Sequence, residues 1–166
     1  MPEAQMLTEN QWSHLRDARL AALTESPGEF LSSYQRESTY GEREWRAEFS
    51  RGQWVIAFVE GRTVGLLGAT WGLRTPAHDC YLEYMWVSPG FRRCGIASTL
   101  IRLVLESLRD SGVAVAWLWI FDDNESARRL YESCGFVSTN EKQPIPGDGT
   151  RHEERMTISL RPAPGN

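Results

Sequence analysis

The sequence predicts an α/β fold built on a mixed sheet, and three observations carry that prediction. Val113 to Phe121 is an almost wholly apolar run of strand length, which suggests burial on both faces, as at the centre of an α/β sheet. Before it, Ser98 to Asp110 sets Leu100, Ile101, Val104, Leu105 and Leu108 at helical spacing and ends at Gly112, and Asp79 to Val87 reads as a further strand. Strand, helix and strand in succession imply a parallel, right-handed crossover. Gln53 to Glu60 and Thr63 to Trp71 instead meet at the short junction Glu60-Gly61-Arg62, an antiparallel hairpin, so both kinds of pairing occur in one sheet.

The remaining elements follow from periodicity and punctuation. Trp12 to Leu23 places Trp12, Leu15, Ala18, Leu20, Ala22 and Leu23 as on a helix, stopped by Ser26-Pro27-Gly28. Further helical stretches are expected over Glu29 to Tyr34 and over Glu42 to Ser50, where Trp45 and Phe49 share a face. Asn124 is a natural N-cap for a helix through Ser133, and Gly135-Phe136 supplies a left-handed stop with an apolar residue folding back. A last strand, Glu154 to Leu160, follows a polar loop from Glu141 to Arg151. With no repeat and no linker-like tract, residues 1–166 read as a single domain of ordinary size.

Composition excludes several classes. No apolar run approaches the roughly 20 residues of a membrane span, and Met1-Pro2-Glu3-Ala4-Gln5 lacks the basic and apolar parts of a secretory leader, so the cytoplasm is the expected compartment. Cys80, Cys94 and Cys134 are odd in number, dispersed and outside any Cys-x-x-Cys pair, which argues for free thiols and against a disulfide framework or a metal site. His14, His78 and His152 are isolated and read as surface residues. A net charge of −4 disfavours nucleic acid as the main ligand. A local basic turn on such a chain suits a small phosphorylated molecule.

That turn lies in Met85-Trp86-Val87-Ser88-Pro89-Gly90-Phe91-Arg92-Arg93-Cys94-Gly95-Ile96-Ala97-Ser98: a strand, a glycine-containing basic turn and a helix start. Unpaired N–H groups at a helix N-terminus, with those of the preceding turn, hold an anion largely by main chain. Gly90 and Gly95 have the glycine spacing of a P-loop, but Ile96 and Ala97 stand where its lysine and hydroxyl belong. The G-x-G-x-x-G of a dinucleotide site is absent. What is present is [QR]-x-x-G-x-[GA], as Arg92-x-x-Gly95-x-Ala97.

With this turn in its context, and with Asn124-Glu125-Ser126-Ala127-Arg128-Arg129-Leu130-Tyr131-Glu132-Ser133-Cys134-Gly135-Phe136 matching N-x-x-A-x-x-L-Y-x-x-x-G-F, the chain resembles the GNAT superfamily of acyl-CoA-dependent N-acyltransferases. The resemblance is specific over Asp79 to Phe136 and general before residue 50. It implies a mostly antiparallel sheet of six to seven strands with a parallel, splayed central pair, flanked by helices. It also implies acetyl-CoA as co-substrate, no metal, no covalent enzyme intermediate, and an amine acceptor, and it admits a homodimer. By resemblance, the backbone of Met85, Trp86 and Val87 binds the pantetheine arm. Arg92, Arg93, Cys94, Gly95, Ile96, Ala97 and Ser98 surround the pyrophosphate, and Asn124 and Ala127 help to place the cofactor. Asn124 and Tyr131, seven apart, are expected on one helix face.

Tyr131 matches the family's proton donor to the coenzyme A sulfur. An alkyl ammonium near a pKa of about 10.4 is mostly charged at neutral pH, so a base must take its proton, and Glu83, four residues before Val87, is the candidate. The ribosomal-protein N-terminal acetyltransferases of this family carry a glutamate five residues before the helix asparagine. This chain has Trp119 there, which removes their base and puts their peptide substrate in doubt. Trp71, Trp86, Trp117 and Trp119 fall on strands and read as core, with one or two available to wall an acceptor pocket. That pocket is expected from Leu23 to Tyr40 and the loops Gly72 to His78 and Glu141 to Arg151. Two alternatives stay open: a catalytically inactive coenzyme A sensor or scaffold, and transfer from a longer acyl-CoA.

Overall fold

A computed structural model describes residues 2–72, 75–162 and 165, so the expected loop Gly72 to His78 lies partly outside the described residues. The strands are β1 (Glu3–Met6), β2 (Gly52–Val59), β3 (Arg62–Thr70), β4 (Asp79–Val87), β5 (Val115–Phe121), β6 (Val137–Pro144) and β7 (His152–Ser159). They form one seven-stranded sheet in the order β1-β2-β3-β4-β5-β7-β6, every neighbouring pair antiparallel except β4–β5. The helices are α1 (Trp12–Glu25), α2 (Tyr34–Glu37), α3 (Glu42–Phe49), α4 (Ile96–Asp110) and α5 (Glu125–Ser133).

The apolar stripe of α4 buries Leu100, Ile101, Val104, Leu105 and Leu108 as its spacing predicts, in a core shared with Cys80, Leu82, Ala116, Leu118, Ile120, Tyr131 and Phe136. A second core lies on the other side of the sheet, where Leu15, Ala18 and Ala22 of α1 meet Trp54, Ile56, Leu66 and Trp86. The β2–β3 turn needs two left-handed residues, Glu60 (φ 50°) and Gly61 (φ 77°), which fits the right-handed twist of the strands it joins.

The structure corrects the sequence reading at four places. The stretch expected as a helix over Glu29 to Tyr34 is a 3₁₀ turn at Pro27–Glu29, extended chain at Phe30, and then α2, because the Ser33 hydroxyl accepts from the Arg36 N–H and starts the helix there. On α1 the inner stripe contains Arg19 rather than Leu20. Strand β6 occupies part of the expected loop Glu141 to Arg151. It is an edge strand of mostly polar residues, exposed or half-buried, and therefore carries no apolar alternation to read. Strand β5 is not buried on both faces: Ala116, Leu118 and Ile120 are buried, whereas Val115, Trp117, Trp119 and Phe121 are half-buried on the opposite side.

Candidate active site

After the 3₁₀ turn Pro89–Phe91, the chain reaches α4 through two left-handed residues, Arg93 (φ 63°) and Gly95 (φ 78°). Among the described residues, the N–H groups of Arg93, Cys94, Gly95, Ile96, Ala97 and Ser98 find no acceptor at hydrogen-bonding geometry, although the helix begins within them. A continuous run of free donors at the positive end of a helix dipole is what a diphosphate requires. Arg93, Cys94 and Ser98 are exposed there, while the Ile96 side chain is buried in the core, leaving only its backbone for a ligand. Arg92 departs from expectation. Its Nε donates to the Val87 carbonyl (2.9 Å) and its Nη2 to Ser26 Oγ (3.1 Å) and Glu29 (3.2 Å), so its guanidinium ties the turn to the segment after α1 instead of standing in the cradle.

The parallel strands β4 and β5 pair only from Asp79 to Tyr81 with Val115 to Trp117. Past those residues they part, leaving that edge of β4 without a β5 partner for Met85, Trp86 and Val87. Met85 and Val87 pack against the α4-side core, while Trp86 is buried against α1. On α5, Asn124 Oδ1 accepts from the Ala127 N–H (3.0 Å). Asn124 is therefore a cap outside the helix, not the start of a shared helical face with Tyr131.

The Tyr131 ring packs edge-on against Phe136 at 5.5 Å. Its hydroxyl has no hydrogen-bond partner among the described residues, yet it is not among the polar atoms sealed from solvent. Burial, with a smaller contribution from Cys134, pushes this phenol above its ordinary pKa, so it carries its proton at neutral pH.

Glu83 is half-buried and accepts from Thr70 Oγ1 at 2.9 Å. It does not share a face with Val87, as strict alternation would require. Tyr84 has φ 62°, and the three residues Glu83 to Met85 are fitted against Gly68 and Leu67 of β3, so a bulge reverses the alternation between them. Tyr84 thus stands on the same side as Glu83, stacked on Trp54 (5.3 Å) and donating to Glu48 Oε1 (2.7 Å). Arg51 Nη1 holds both oxygens of Glu48 (2.8 and 3.0 Å). Burial first, then the Glu48 hydrogen bond, raises the Tyr84 pKa. Over Tyr84 lies the Arg19 guanidinium (3.9 Å), which pairs with Glu37 through two bonds of 2.9 Å. Thr70, Glu48 and Arg19 were not singled out from sequence. Arg19 alone left a signal, as a charge at a stripe position of α1.

Two side chains of β7 and its approach complete the region: Arg155 lies 4.1 Å over Trp117 and Arg151 4.4 Å over Phe121. His14, His78 and His152 are exposed. No helix among the described residues is long and apolar enough to cross a membrane.

Comparison with known proteins agrees with this geometry. The chain is 30% identical over 74 residues to the [ribosomal protein bS18]-alanine N-acetyltransferase of Salmonella typhimurium, covering 45% of this chain and 50% of that protein. It thus spans about half the length of the curated relatives it matches. In fold it resembles the ribosomal-protein-S18-alanine N-acetyltransferase of Escherichia coli, with a TM-score of 0.72 at 21% identity over 100% of this chain and 98% of the other. It also resembles yncA of Salmonella typhimurium, solved with its cofactor acetyl-CoA, with a TM-score of 0.71 at 15% identity over 99% and 96%. The sequence profile of the acetyltransferase (GNAT) family matches residues 15–136, most of the chain and all of the cradle, the splayed strands and α5. The chain belongs to the GNAT acetyltransferase family.

Proposed function

We propose that this protein transfers the acetyl group of acetyl-CoA to a primary amine by direct attack, with both substrates bound together. The observation that carries the reading is the run of N–H groups from Arg93 to Ser98 without an acceptor among the described residues, beside the stretch of β4 that has no β5 partner. The first fits a diphosphate and the second an extended arm that bonds to the strand. Acetyl-CoA supplies the thioester. The chain's own residues orient it, take a proton and return one.

In this reading Glu83 takes the proton of the attacking amine on the side of the sheet facing α1, its carboxylate steadied by the Thr70 hydroxyl. The amine nitrogen bonds to the carbonyl carbon as the carbon–sulfur bond breaks, and the sulfur keeps that electron pair. Tyr131, on the α4 side of the sheet and with a protonated hydroxyl that has no hydrogen-bond partner among the described residues, donates to the sulfur. A thiol titrates near about 8.5, so the departing thiolate needs only modest help.

The peptide substrate named for the bS18-type relatives is not carried over, because Trp119 replaces the glutamate of that group. The test is thiol release from acetyl-, propionyl- and succinyl-CoA across a panel of primary amines, beside calorimetric binding of coenzyme A. Amine-dependent release fastest with acetyl-CoA is expected. Tight coenzyme A binding without release from any pair would replace the enzyme with a sensor or scaffold, and a preference for a longer donor would reassign the acyl group.

A further inference from the structure

The sheet face opposite α4 is covered unevenly. Over β2, β3 and the end of β4 it lies under α1, while α4 and α5 pack on the other side. The rest of this face carries Tyr81 on β4 and Trp117, Trp119 and Phe121 on β5, all half-buried. A sheet face turned to water ordinarily alternates to polar residues. An aromatic run left partly open instead marks a surface that meets something.

Charge narrows what that is. The two guanidinium groups on the strip are already neutralised, Arg155 by Glu141 (2.6 Å) and Arg151 by Asp123 (3.4 Å). On the β4 side, Asp79 accepts from Trp117 Nε1 (3.2 Å) and Glu83 from Thr70, and among the described residues neither carboxylate has a basic group within salt-bridge distance. Among the described residues, the charge that faces the aromatics without an ion-pair partner is therefore negative. Because pairing of β4 with β5 stops at Tyr81 and Trp117, Glu83 and Trp119 are the next residues of this face on either side of the opening.

We infer that the acceptor is a primary amine carried on an aromatic or similarly flat apolar body, its ammonium drawn to Glu83 and its ring laid on the Trp119 side of the opening. The inference rests on the acetyl-transfer reading above. Stacking of the flat body on tryptophan favours such a molecule over an aliphatic amine of equal basicity. A strongly hydrated sugar amine would leave the strip wet.

The test compares 2-phenylethylamine with n-propylamine, and spermidine as an aliphatic polycation, by thiol release and by calorimetric binding of each amine to protein saturated with coenzyme A. We expect kcat/KM for 2-phenylethylamine to exceed that for n-propylamine by about tenfold or more. Trp119→Ala should erase that ratio with KM for acetyl-CoA unchanged, and Trp119→Phe should keep most of it. Equal kcat/KM for the two amines, a preference for spermidine, or a ratio indifferent to Trp119→Ala would overturn the inference. Should Trp119→Ala not fold, the native ratio and Trp119→Phe still decide. Binding of 2-phenylethylamine with no thiol release would uphold this surface and sink the transfer reading. Self-association abolished by Trp119→Phe would assign the face to a second copy of the chain and defeat the proposal.

Discussion

Helix α4 begins and ends on a left-handed glycine, Gly95 at φ 78° and Gly112 at φ 77°, and a methyl group added at either meets nothing within 4 Å. Gly→Ala at the two sites therefore imposes the same local penalty, about 1–2 kcal/mol for an L-residue held left-handed. Where it is felt should differ. The Gly112 conformation is fixed by hydrogen bonds from its own N–H to Arg109 and from the Val113 N–H to Leu108 (both 3.0 Å), so Gly112→Ala should lower stability by that amount. At this chain length that is about 2–4 °C in Tm per kcal/mol.

At Gly95 the carbonyl is held by the Thr99 N–H and hydroxyl, while the N–H groups around it have no acceptor among the described residues. An alanine introduced there can therefore relax to negative φ in the unliganded protein, and the left-handed form must be restored when the diphosphate binds. The penalty moves to binding: Gly95→Ala should leave Tm nearly unchanged and weaken coenzyme A by about 5- to 30-fold. Calorimetric titration with coenzyme A and thermal unfolding of both variants decide the matter. An unchanged Kd for Gly95→Ala, or an equal loss of affinity in Gly112→Ala, would refute the claim that the free N–H groups form the diphosphate site.

Tyr131→Phe keeps the ring packing on Phe136 and removes only the donor, so kcat should fall by about 10- to 100-fold, with KM for acetyl-CoA nearly unchanged in steady-state assays. Thr70→Val preserves volume and deletes the bond to Glu83. It should lower kcat in the native background, add nothing to Glu83→Gln, and be rescued by Thr70→Ser; simple additivity would show that Thr70 acts through packing. Burial pushes the Cys80 thiol up to about 12 from 9.0 and also raises Tyr84 and Tyr131. Each folded value lies above its unfolded one, so this stabilisation is whole below about pH 9 and is lost as pH rises through the folded values. The urea midpoint should hold steady to about pH 9 and then fall, and a midpoint constant to pH 11 would contradict that assignment.

The centre of the fold was legible because its residues obey a period. The α4 stripe, the cap at Asn124 and the bounds of β4 could all be read, and the glycine turn with the α5 signature pointed to the family that the profile match then showed. The edges were not legible. Strands β1 and β6 are edge strands of mostly exposed or half-buried residues, stabilised by a neighbour's backbone rather than by apolar alternation. The acid around the site was legible as a residue but not as an environment. Nothing in the sequence near Glu83 announces Thr70, thirteen residues earlier, or sets Glu48 against Tyr84. The open side of β5 was hidden because tryptophan reads as core whether or not anything covers it.

Tyr84 gives β4 one residue more than the strand beside it. Before it the even-numbered Cys80 and Leu82 face α4; after it the odd-numbered Met85 and Val87 do. Flattening that bulge into a regular strand with every residue kept would turn the strand's last segment inside out, driving Trp86 toward α4 and presenting Met85 and Val87 to α1. A single bulged position thus keeps the strand's acid on one surface of the sheet and Met85 and Val87 on the other.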